Sequence, residues 1–65
     1  MCEFKVHMIE RGKERIEVAK NIIAVKKKDE NIILVNDLGT VTLVSNANIE
    51  EVNTFTQEMI LKRID

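Results

Sequence analysis

From Cys2 to Met8 the chain reads Cys-Glu-Phe-Lys-Val-His-Met, an alternation of apolar and polar side chains. A period of two marks a half-buried strand, because successive side chains leave opposite faces of an extended backbone. Cys2, Phe4, Val6 and Met8 share one face, and Glu3, Lys5 and His7 share the other. Glu10-Arg11-Gly12-Lys13 then reads as a turn, with Gly12 free to take a positive φ. Alternation resumes at Arg15-Ile16-Glu17-Val18, with Ile16 and Val18 inward. Residues 2 to 19 are a hairpin on this pattern.

The same logic carries on along the chain. Lys20-Asn21 interrupts the alternation, and Ile22-Ile23-Ala24-Val25 follows as a β-branched run leading into Lys26-Lys27-Lys28. Asp29-Glu30-Asn31 reads as a turn and Ile32-Ile33-Leu34-Val35 as the strand returning from it. Asn36-Asp37-Leu38-Gly39 has turn chemistry, since Asn, Asp and Gly tolerate left-handed backbone angles. Thr40 to Val44 is a strand by propensity and alternation. Short strands punctuated by turns in this way indicate an all-β barrel or sandwich.

The tail is ambiguous by pattern. Ile49, Val52, Phe55, Met59 and Ile60 fall near helical spacing, and Asn48 with Glu51 has the form of a capping box. Asn53-Thr54-Phe55-Thr56 opposes a helix, being poor helix formers in mid-segment. Two strands, about 49–54 and 57–63, satisfy those residues but break the alternation.

Sixty-five residues hold one domain, spanning 1–65. So small a core is marginal without a disulfide, a metal or a second subunit. One Cys cannot make an internal disulfide, which leaves a metal, a partner copy or both. The lone Cys, the absence of a signal-like start and the lack of any long apolar run make the cytoplasm the expected compartment. Ten basic and eleven acidic residues give a net charge of −1, which offers nucleic acid little without a local patch.

Catalytic raw material is scarce: one Cys, one His, no Tyr, no Trp and only Gly12 and Gly39. Cys2 and His7 are five positions apart, on opposite faces of one strand, so they cannot form a nucleophile pair within one chain. The expectation is a protein that is not an enzyme. Structural zinc wants about four close ligands, which one chain does not supply. A two-fold dimer doubles the thiols at its axis. Around Cys2 the thiolate, its amide nitrogen and a terminal amine at Met1 come within chelate-ring distance. Such nitrogen and sulfur donors suit Ni(II) or Cu(II) better than zinc. Taken by itself, Cys2 is more simply a small buried hydrophobe at a strand start. His7, on the polar face, reads as solvated. Lys26, Lys27 and Lys28 form the one basic run, a candidate RNA contact, but Asp29 and Glu30 follow at once and aromatic platforms are scarce.

The opening Met1-Cys2-Glu3-Phe4-Lys5-Val6, followed by a charged hairpin, resembles the CooT-like proteins. Ile32 to Gly39 is similar to that family's apolar strand ending in an Asp-Leu turn. Ala47 to Asn53 is similar to its late x-Ile-x-x-Val-Asp segment, with Asn53 in the place of the Asp, and Met59-Ile60-Leu61 to its closing strand. The resemblance implies a small Sm-like or SH3-like barrel of five to seven short antiparallel strands, and it favours strands in the tail. It also implies a homodimer that binds nickel as an accessory to carbon monoxide dehydrogenase, held through Cys2. The neighbouring candidate ligands are Met1, through its terminal amine, and Glu3. Relatives are also labelled as RNA-binding. The alternative expectations are therefore an Sm-like RNA-binding module using Lys26 to Lys28, or a protein-interaction subunit.

Overall fold

The computed structural model describes residues 3–12 and 14–64. Six strands form one sheet: β1 (Phe4–Ile9), β2 (Ile16–Lys28), β3 (Asn31–Asn36), β4 (Val41–Val44), β5 (Ala47–Asn53) and β6 (Glu58–Arg63). Their order across the sheet is β4-β3-β2-β1-β6-β5. No helix among the described residues is long and apolar enough to cross a membrane.

The long strand β2 organises the fold. Its first half pairs with β1 and its second half with β3, both antiparallel. The changeover falls at Asn21, which adopts a φ of +57° beside bulges in both ladders. Asn tolerates the left-handed region better than most residues, and a bulge bends and twists the strand that carries it. The interruption seen at Lys20-Asn21 is therefore a bend inside one strand and not the end of one. Curling the sheet there lets its two halves face each other over a common core.

That core holds Val6 and Met8 of β1, Ile22 of β2, Ile32 and Leu34 of β3, Val44 of β4, Ala47 of β5, and Met59 and Leu61 of β6. Phe4, Val18, Ala19 and Val25 pack against it. The inward set deduced from alternation in the first strand is thus correct for Val6, Met8 and Phe4. Ile16, also expected inward, is exposed at 55%, because it lies at the outer end of the hairpin, opposite Met8.

Four of the five pairings are antiparallel, as expected, and β1 with β6 is parallel. The parallel pair makes β1 a central strand. One margin of the half-barrel is laced shut. Ala47 N–H donates to Glu30 O at 2.9 Å and Ile64 N–H to Asn46 O at 2.7 Å. Arg63 reaches Glu10 Oε1 at 3.1 Å and also donates to the carbonyl of Ser45. Lys27 donates to Asn48 Oδ1 across from β2 to β5.

Candidate functional site

Chain entry into β1 is fixed by bonds on both flanks. Phe4 pairs with Ile22 of β2, and Lys5 N–H donates to Gln57 O on the β6 side at 3.0 Å. Glu3, just outside the strand, accepts from Asn21 Nδ2 at 2.8 Å through Oε1. Asn21 is itself held, since its carbonyl accepts from Asp37 N–H at 3.0 Å. One residue therefore bends β2, anchors the β3–β4 turn and ties down the first described acidic side chain. The local sequence gave only the break at Asn21; its long-range partners had no signal there.

Of the three candidate metal residues, Glu3 is half-buried in this arrangement, while Met1 and Cys2 lie outside the described residues. Among the described residues no three of His, Asp and Glu converge as metal ligands. An ionised carboxylate offers about four lone-pair sites, so accepting from Asn21 leaves Glu3 capacity for another bond.

His7 is more enclosed than its polar face suggested. Its side chain is 15% exposed, because its strand is flanked on both sides, by Glu17 of β2 and Ile60 of β6 in register. Nε2 lies 3.5 Å from Glu58 Oε2 and, among the described residues, has no hydrogen-bond partner. That separation permits charge attraction but is too long for a good hydrogen bond. His7 projects from the face opposite the core, so it lies away from the inward set that alternation assigns to Cys2.

The lysine run does not form one patch. Lys26, Lys27 and Lys28 are successive β2 residues, in register with Ile33, Ile32 and Asn31, so their side chains alternate between faces. Lys27 is engaged with Asn48. Lys26 and Lys28 share the other face at the end of the strand, next to Asp29 and Glu30 of the turn.

These features define a small all-β protein built on one curled sheet, with its single cysteine two positions before the anchored central strand in the sequence. The chain belongs to the CooT family: the family model described as CO dehydrogenase accessory protein CooT matches residues 1–62. Among solved structures, a protein assigned as CooT from Carboxydothermus hydrogenoformans superposes with a TM-score of 0.85 at 19% identity, covering 98% of this chain and 100% of the other. At that identity the likeness establishes the shared fold. No curated protein matches the sequence.

Proposed function

We propose that this protein is a non-enzymatic nickel-binding accessory protein that acts in the cytoplasm and hands the metal to carbon monoxide dehydrogenase. In this reading it works as a homodimer, and Cys2 of each copy anchors nickel at the two-fold axis. The family match across residues 1–62, which takes in the Met1-Cys2-Glu3 opening, carries the reading. The anchoring of Glu3 by Asn21 supports it, because it fixes the chain next to the thiol and reduces the ordering that metal binding would otherwise require.

The residues act by donor type. The Cys2 thiolate is the soft, charged anchor; the backbone nitrogens of residues 1–3 offer planar donors; the Glu3 carboxylate adds a harder one. Bound nickel would supply the cargo and no reaction. Because the thiol must lose its proton, uptake releases protons. Isothermal titration of Ni(II) into wild type and Cys2→Ser decides the matter. The reading expects stoichiometric binding by wild type and none by a folded Cys2→Ser variant. Equal binding by both discards it.

A further inference from the structure

The two edges of the sheet, β4 and β5, are built differently. β5 carries Glu50 and Glu51 and a bulge between Ile49 and Glu51. Charges and bulges of this kind keep a sheet margin from pairing with another chain. β4 reads Val41-Thr42-Leu43-Val44, with no charge, no Pro and no irregularity in its ladder with β3. Its outward backbone groups follow from the register. Asn36 N–H donates to Thr40 O at 3.0 Å, and hydrogen-bonded pairs recur at every second residue of an antiparallel ladder. The bonded pairs are therefore Leu34 with Thr42 and Ile32 with Val44. The N–H and C=O groups of Val41 and Leu43 point the other way, at an edge that no strand among the described residues pairs.

The side chains beside this edge are apolar. Ile32 and Leu34 are core residues, so their partners Val44 and Thr42 face inward, while Val41 and Leu43 face out. Val41 is 60% exposed and Leu43 62%. Behind them on the same outer face lie Val35 and Ile33 of β3, then Ala24 and Lys26 of β2. Lys28 shares that face, and both lysines are exposed. From Ile22 to Val44 the strands carry three lysines and no carboxylate; Asp29, Glu30 and Asp37 lie in the turns. Lys27 is engaged with Asn48, which leaves Lys26 and Lys28 to give the outer face its charge.

We infer that β4 receives an extended segment of another protein, which adds as one further strand and brings carboxylates toward Lys26 and Lys28. Strand addition of this kind takes its affinity from backbone bonds and its selectivity from alternate side chains. A second copy of the chain fits this edge less well on two counts. It would bring the same lysines to a face whose strands hold no carboxylate. The four residues of β4, with Ile33 and Val35 behind them, are also far short of the roughly 20–30 residues a side that hold a stable pair. So small a contact suits a transient encounter, and an accessory protein must let its client go. The inference rests on the accessory role proposed above and deepens it by naming where the client touches; it makes no use of nickel.

Two probes test it: purified nickel-free carbon monoxide dehydrogenase, and a short synthetic peptide alternating Val and Thr with Asp at both ends. In the protein alone, the amide hydrogens of Val41 and Leu43 should exchange fast and those of Thr42 and Val44 slowly. Either probe should protect the first two. Leu43→Pro removes one outward donor without touching the ladder, Val41→Lys puts a charge on the edge, and Lys26→Glu with Lys28→Glu reverses the outer face. Each should raise the dissociation constant at least about tenfold, whereas Glu50→Gln on β5 and Cys2→Ser should bind as wild type. Val41 and Leu43 point outward, so melting by circular dichroism should show these variants folded. Dehydrogenase bound equally by wild type and by the β4 and lysine variants overturns the inference and leaves the accessory role standing. Peptide bound at β4 without any binding of dehydrogenase keeps the edge and removes that client; no binding of either probe overturns both. Protection of Val41 and Leu43 that grows with the concentration of the protein alone would put a second copy on the edge and overturn the inference as well.

Discussion

Replacing Asn21 tests how the bend in β2 and the placement of the first residues are joined. Its side chain bonds Glu3 at 2.8 Å and its backbone sits at a φ of +57°. Asn21→Ala removes the hydrogen bond, costing about 1 kcal/mol, and forces a less tolerant residue into the left-handed region, costing about 1–2 kcal/mol more. Asn21→Gly loses the same bond but adopts that backbone freely, so only the bond and a smaller entropic term of roughly 0.5 kcal/mol remain. The two variants should differ by about 1 kcal/mol, or roughly 4–8 °C in melting temperature for a domain of this size. Melting by circular dichroism measures that difference, and titration with nickel supplies the functional half. Both variants release Glu3, so both should weaken nickel binding to a similar extent despite unequal stability. Equal melting temperatures would refute the backbone argument. Unchanged nickel affinity in both would refute the idea that the Asn21–Glu3 bond positions the metal-binding residues.

Leu34 is fully buried in the core, so Leu34→Ala should cost about 2–5 kcal/mol by denaturant unfolding, a large share of the roughly 3–10 kcal/mol available to such a chain. Gln57 adopts a φ of +59°, and its carbonyl, which a substitution keeps, accepts from Lys5; Gln57→Gly should raise stability by about 0.5–1 kcal/mol in the same assay. Nickel uptake should strengthen by at least about a hundredfold from pH 6 to pH 7, because two thiols each release a proton, one factor of ten apiece, and every backbone nitrogen that loses a proton on binding adds to it; titration at the two pH values checks it. Lys26→Glu with Lys28→Glu should leave nickel binding intact, and wild type should show no shift of short RNA at low salt. A shift abolished by that double change would give the lysines an RNA contact after all.

Much of this fold was legible because a single period governs β1, β3 and β4. The readings failed where bulges changed the phase. Ile49 and Val52 are three apart, which mimics a helix, yet they pair with Leu61 and Met59, both core residues. The bulge between Ile49 and Glu51 supplies the extra residue, so both aliphatics fall on one face of a strand. Ile22 and Val25 show the same three-residue offset across the irregularity that follows Asn21. The consecutive Met59, Ile60 and Leu61 are all buried because β6 lies between β1 and β5, so that Ile60 is covered on the outer side beside His7. Of the candidate site, Cys2 and Met1 remain expectations from the sequence that lie outside the described residues, and the structure places Glu3. The bond from Asn21 to Glu3 joins residues 18 positions apart, and no local pattern encodes such a contact.

Nickel K-edge X-ray absorption on the loaded protein, paired with metal analysis per chain, addresses the shared-thiolate account most directly. The account predicts one nickel for every two chains, with sulfur scatterers that disappear in Cys2→Ser. A nickel environment made only of nitrogen and oxygen, or one unaltered by that substitution, would contradict it.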